Sequence, residues 1–341
     1  MRHDAFVPSL RTVYYTYTIR YQAMKPALAF SRQELAALTQ RSDWRGAWAI
    51  TSTWTVIALT FVALTRWPHS VTFAVAVVVL GGRQLALSIL MHEAAHRTLF
   101  RTRWLNDRVT DWTCARVMWN DVVRYRRHHL GHHKHTGTPE DPDRSLVTPF
   151  PTTRASLARK LLRDVAGITA LKRIVGLLLM DIGVLEYTVA GDAVVRSRAE
   201  RTSWGCVREG ARHLSGVVIT NLALFGVLAA AGHPRLYLVW VAAYMTTFSV
   251  FLRIRSFAEH ACTAQGPDVR RNTRTTRAGL VARATVAPFR VNYHVEHHML
   301  VAVPYFQLPK MHRMLRERGV VEAPPGYAGV IALVSSSSGR A

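Results

Sequence analysis

The chain has 341 residues, 49% of them apolar, 44 Lys and Arg against 21 Asp and Glu, a net charge of +23 and a mean hydropathy of +0.06. These values are too apolar for an ordinary basic soluble protein and too polar for a channel built only of spans, so part of the chain is expected in lipid. The cations are spread over segments flanking apolar runs, and no nucleic-acid-binding signature accompanies them. Membrane lipids are therefore the expected partner of the positive charge, and nucleic acid is not.

At the start, Arg2, His3 and Asp4 are followed by no apolar run, so no signal peptide is read and insertion is assigned to the first span. Ser31-Arg-Gln-Glu34 before Leu35 has the form of a capping box opening a short helix. Four runs approach the roughly 20 residues that cross a bilayer as helix, at about 47–67, 71–91, 215–232 and 236–251. The links 68–70 and 233–235 are so short that each pair is predicted to be a helical hairpin returning to the side it left. This divides the chain into an N-terminal segment 1–46, a membrane domain 47–325 and a flexible tail 326–341 that ends in the small polar run from Ser335 to Ala341.

The long segments outside the spans hold most of the cations. The positive-inside bias then puts them, both termini included, on the cytoplasmic side, in a bacterium that of the inner membrane. Arg83 and Gln84 sit inside the second span, where a polar side chain either contacts substrate or another helix, or snorkels to the interface. Ile174 to Leu185, behind Lys172 and Arg173, is too short to span and reads as an interfacial helix, with a buried core helix as the alternative. Cys114, Cys206 and Cys262 lack metal-type spacing and are expected to stay reduced.

Eight of the 16 histidines fall in three clusters: HEAAH (His92, His96), HLGHH (His129, His132, His133) and HVEHH (His294, His297, His298). At this histidine frequency a chance H-x-x-H-H is expected about 0.035 times per chain, and two occur. Residues three and four apart share one helix face, so each cluster presents its imidazoles together. Neutral imidazole suits Zn, Cu, Fe or Ni, and eight such nitrogens exceed what one tetrahedral zinc uses, which makes two metals the natural count. HEAAH alone also matches the zinc-peptidase pattern, with Glu93 activating water, but that reading needs a third ligand and leaves the other clusters without a role. Glu93 is more simply a carboxylate that orients an imidazole. His128 and His135 fall on other helix faces, and His3, His69, His213, His233 and His312 are isolated and read as surface or link residues.

These clusters have the spacing H-x(3,4)-H, H-x(2,3)-H-H, H-x(2,3)-H-H. With the flanking stretches MHEAAHRTLFRTRWLND, RYRRHHLGHHKHTGTPEDPD and VNYHVEHHMLVAVPYFQLPKMH, the chain resembles the membrane fatty acid desaturase superfamily over roughly residues 45 to 320. Its HEAAH-type group is similar to the branch that includes rhizobitoxine-type desaturases, which act on a small amino-acid-derived substrate. The resemblance implies an all-α integral membrane protein in which four transmembrane helices carry a cytosolic helical cap holding a non-haem di-iron centre. It also implies a ninth ligand, His260 in RSFAEH, with Ser256 standing where acyl-CoA desaturases have an asparagine.

The cofactors so implied are two iron ions per chain, with O2 as co-substrate. Two electrons come from a separate donor such as a ferredoxin, since no cytochrome b5 module fits in the short termini. Carboxylates placed to hydrogen-bond the far ring nitrogens are Glu93, Asp141, Asp143, Glu259 and Glu296. Asp141 and Asp143 in PEDPD also suit a proline-containing turn. The implied reaction is O2-dependent desaturation of a fatty acyl chain or similar lipid-like substrate. Hydroxylation by the same centre is the near alternative, and zinc-dependent hydrolysis the remote one.

Overall fold

The computed structural model describes residues 29–336; the readings of Met1 to Pro8 and of the last five residues lie outside the described residues. Among the described residues there is no β-strand, and helices supply the whole framework. Helix α1 (Arg32–Leu38) opens with both halves of the expected capping box: Ser31 Oγ accepts from Glu34 N at 3.2 Å, and Glu34 Oε2 accepts from Ser31 N at 2.8 Å. Helices α2 (Asp43–Arg66) and α3 (Ser70–Ala95) follow.

Four helical stretches are long and apolar enough to cross a membrane: Arg32–Arg66, Ser70–Ala95, Ser203–Ala230 and Leu236–His260. All four extend beyond the runs expected from hydropathy. Hydropathy marks only the lipid-compatible part of a helix, whereas backbone hydrogen bonds continue through polar turns wherever packing or a cap supports them. Thr202 supplies such a cap to Gly205 N at the start of the third. Side chains such as Leu59, Val62, Val71, Leu222, Val227 and Leu238 stay bare on the outer faces. The inner faces meet in a core containing Ile57, Phe61, Leu80, Leu87 and Trp240, with Trp54 stacked on Trp240 at 6.3 Å between ring centroids.

Arg83 and Gln84 of α3 serve that packing. Gln84 is fully buried and donates to Trp240 O at 2.9 Å, while Arg83 donates to Ala284 O at 2.7 Å. Gly82 lets the segment around Ala284 approach: a Cβ there would lie 2.4 Å from Ala284 O.

After α3 come two wide helical turns, then α4 (Val122–His135), α5 (Arg154–Val165) and α6 (Ile168–Asp181). Helix α6 starts six residues before the apolar run expected there. One of its faces buries Ala170 and Met180, while Ile168, Leu171 and Val175 remain exposed, so it is half-buried and not a core helix. Its last residue, Asp181, accepts from Trp119 Nε1 at 2.9 Å and Arg124 Nη1 at 2.5 Å.

Helix α7 (Ser203–Ala230) leads to α8 (Leu236–Met245) and α9 (Thr247–His260), which form one stretch broken at Thr246. Three short helices close the chain: α10 (His294–Met299), α11 (Leu308–Glu317) and α12 (Tyr327–Val334). The last corrects the expectation of a flexible tail from 326 onward. Val330 and Val334, one turn apart, are buried in a cluster with Phe150, Leu157 and Phe257, and Val334 O accepts from Thr152 N at 2.8 Å. Apolar burial at helical spacing outweighs the small-residue composition of the end.

Candidate metal centre

Each histidine is carried or capped by a helix. His92 lies in the last turn of α3 and His96 caps that helix. Helix α4 carries His129, His132 and His133, and is started by Asp121, whose Oδ1 accepts from Val123 N at 2.8 Å and Arg124 N at 2.9 Å. Helix α10 carries His294, His297 and His298, and α9 ends on His260.

Nine imidazoles converge from these four helices, and they divide. His92, His96, His129, His133 and His297 form one group; His132, His260, His294 and His298 form the other, with the nearest nitrogens of each group within 4.8 Å of one another. The division follows helix geometry. At about 100° per residue, positions i and i+4 point nearly the same way, while i+3 points away from i+4 by about 100°. So His129 and His133 stay together and His132 crosses over; His294 and His298 stay together and His297 crosses back.

The nitrogens face one another closely. His133 Nε2 is 3.0 Å from His129 Nε2 and 3.1 Å from His297 Nε2, and His260 Nε2 is 2.7 Å from His294 Nε2 and 3.2 Å from His132 Nε2. Both nitrogens of His92, Nε2 of His96 and of His298, and Nδ1 of His133 and of His294 are buried with no hydrogen-bond partner among the described residues. Buried nitrogens of this kind normally have a partner, and inward-facing imidazole nitrogens in two tight groups match the donor set of two metal ions. Burial and neighbouring positive charge hold His129, His133, His294, His297 and His298 well below the usual histidine range, and His96 at about 3. These rings are thus neutral, the form that binds metal.

The carboxylates expected around the rings behave differently from one another. Asp141 Oδ1 accepts from His132 Nδ1 at 2.8 Å, which leaves Nε2 of that ring facing its group, and also accepts from Asp143 N at 2.9 Å. The orienting and turn-forming readings of Asp141 therefore coexist. Burial opposes a proton on His132, but the Asp141 hydrogen bond and the charge of Asp143 prevail and raise its pKa. Asp143 lies 2.7 Å from His128 Nε2 and 3.8 Å from His132 Nδ1, so His128 acts on the carboxylate side of the cluster.

Glu93 Oε1 is 3.5 Å from His92 Nδ1, while Oε2 accepts from Thr98 Oγ1 at 3.0 Å. Glu259 pairs with Arg255 Nε at 2.8 Å and comes within 3.7 Å of His294 Nδ1.

Glu296 departs from expectation. It is fully buried, but accepts from Thr275 Oγ1 at 2.5 Å and from His312 Nδ1 at 2.6 Å, and bonds none of the nine histidines. Two residues after His294, it points to the opposite side of α10. His312, read as isolated, is correspondingly a partly buried partner on α11. The sequence also carried no sign of Thr136 Oγ1, 3.4 Å from His298 Nδ1, or of Asn272, whose carbonyl lies 3.4 Å from His260 Nδ1. Both are contacts between segments distant in the chain.

The sequence model of the fatty acid desaturase family matches residues 66–330. The chain is also similar to dihydrorhizobitoxine desaturase of Bradyrhizobium elkanii, with 26% identity over 332 residues that cover 92% of this chain and 85% of that protein.

Proposed function

The chain belongs to the fatty acid desaturase family, and we propose that it is an O2-dependent desaturase whose two histidine groups each hold one iron ion. Family membership makes it a desaturase-like, membrane-associated oxidoreductase with a lipid-like substrate. The observation that carries the finer reading is the division of nine imidazoles into groups of five and four, with several nitrogens buried and without a hydrogen-bond partner.

In this reading His92, His96, His129, His133 and His297 hold one ion, and His132, His260, His294 and His298 hold the other. The chemistry such a centre supplies when bound is O2-dependent removal of two hydrogens from an unactivated carbon pair, which redox-silent zinc cannot perform. The chain's own part is positional. Asp141 fixes the tautomer and direction of His132, Glu93 and Glu259 offset positive charge beside His92 and His294, and Asp143 is steadied by His128. The zinc-peptidase alternative is disfavoured, because Glu93 is buried and occupied by Thr98 and a backbone N–H instead of facing a water path.

Desaturation is preferred to hydroxylation because the relative's name is that of a desaturase, one acting on dihydrorhizobitoxine. We take residues 47–325 as the membrane domain, with the spans paired as helical hairpins and the histidines in a cytosolic cap at the inner membrane. The cation-rich segments that carry the histidines support that orientation. The same positive charge suits an acidic electron donor such as a ferredoxin.

The test is mass-resolved lipid and metabolite profiling of cells expressing the wild-type chain beside His297→Ala, with a ferredoxin and its reductase co-expressed. A product lacking two hydrogens, absent in the variant, supports the reading. A product gaining one oxygen replaces it with hydroxylation, and one zinc per active chain with O2-independent activity rejects it.

A further inference from the structure

One side chain of α4 holds the end of α3. The last carbonyls of a helix lack the usual intrahelical partner and take one from elsewhere. Arg126 of α4 supplies it: Nε donates to Ala95 O at 2.7 Å and Nη2 to Ala94 O at 2.9 Å. Among the described residues these are the hydrogen bonds that join the two helices. Asp107, in the first wide turn after α3, braces the same guanidinium. Its Oδ1 accepts from Arg126 Nη2 at 2.5 Å and its Oδ2 from Arg97 Nη2 at 3.2 Å. The Arg126 and Asp107 side chains are only 15% and 26% exposed.

The place of Arg126 along α4 gives this hold a direction. His133 stands seven residues further on, and seven steps of about 100° bring the two within about 20° of one bearing, while His129 lies about 60° away. One side of α4 therefore grips the end of α3 with Arg126 and meets His96, which caps that end, with His129 and His133. The His96 ring centroid lies 4.9 Å from that of His129 and 4.7 Å from that of His133.

The consequence falls on one histidine group. His92 and His96, both from the end of α3, belong with His129, His133 and His297, whereas the group of His132, His260, His294 and His298 takes no member from α3. A shift of α3 against α4 thus disturbs the first group and leaves the second where α4, α9 and α10 put it. A cap serving stability alone needs one donor to one carbonyl. A planar fork bound to two successive carbonyls and a carboxylate fixes direction as well as distance.

We propose that Arg126 is a positioning residue for the five-histidine group, acting through Ala94, Ala95 and Asp107 to fix His92 and His96 against His129 and His133. This role rests on the reading of the two groups as metal sites. It makes those sites separable: removing the guanidinium weakens one ion and spares the other.

The test is iron titration of the full-length protein in lipid nanodiscs, read by iron content and by the Mössbauer spectrum of the bound iron, in which sites of five and of four imidazoles give separate signals. Arg126→Met keeps the apolar stem and removes the donors. It should lower the affinity of the five-histidine site by about 10–100-fold, the usual effect of losing a partner that orients metal ligands, and leave the four-histidine site unchanged. Arg126→Lys can reach a carbonyl but lacks the fork, and should recover part of the loss. Asp107→Asn, which keeps an acceptor oxygen without its charge, should show a smaller loss at the same site.

Unchanged affinity at both sites in Arg126→Met, or an equal loss from both, would overturn the proposal. If Arg126→Met does not fold, Asp107→Asn decides by the same criterion, and a loss that is absent or shared equally by the two sites overturns it. A wild-type protein that takes up no iron rejects the iron reading; zinc titration of the same variants then decides the role of Arg126 by the same selective loss, and binding of neither metal overturns both.

Discussion

Glu93 Oε2 accepts the backbone N–H of Tyr305 at 3.1 Å, tying the end of the helix that bears the first histidine pair to the loop that follows the last histidine cluster. The same oxygen accepts from Thr98 Oγ1 at 3.0 Å. Glu93→Ala leaves both donors without this partner in a buried setting, and the expected loss of stability is about 1–3 kcal/mol. Glu93→Gln keeps one acceptor oxygen and should lose less. Thermal unfolding in detergent checks this, and equal stability of the wild type and Glu93→Ala would show that the clamp is idle.

Asp141 is expected to matter through His132 rather than by touching metal. Asp141→Ala removes the acceptor at 2.8 Å that orients the ring. Loss of such a partner typically lowers metal affinity by about 10–100-fold, and the fall should be seen in iron titration of the purified protein. Unchanged iron affinity would leave Asp141 with its turn-forming role alone.

His312 has a predicted effect on stability with little on iron stoichiometry. Its bond to the fully buried Glu296 faces away from the nine histidines. His312→Ala leaves that carboxylate with Thr275 as its remaining side-chain partner, and a cost of about 1–3 kcal/mol is expected. Iron content near the wild-type value with a lowered unfolding temperature is the expected pair of results; loss of iron at unchanged stability would contradict it.

The C-terminal helix is a structural part of the protein. Truncation before Tyr327 exposes the seats of Val330 and Val334, 1% and 0% exposed, and forfeits about 1.5–3 kcal/mol for each fully buried valine. Limited proteolysis should find the truncated chain cut faster around Phe150 and Phe257. Equal protease resistance would mean that the helix is dispensable.

Much of this protein follows from local rules. Four helices apolar enough to cross a membrane are legible because span length and hydropathy are properties of contiguous residues, and the α1 capping box because its partners are three residues apart. Three histidine clusters, each on one helix face, follow in the same way from spacings of three and four. Local pattern misled at the C-terminus and at His312, where the deciding partners, Phe257 and Glu296, belong to other helices.

What only the tertiary structure decided is the grouping. His129 and His133 join His92, His96 and His297, while their neighbour His132 joins His260, His294 and His298. The helical period sets the directions in which the three rings of α4 point. Which rings meet them depends on how α3, α9 and α10 are packed around α4, and that relation is made by contacts between residues far apart in the chain, which no local spacing encodes.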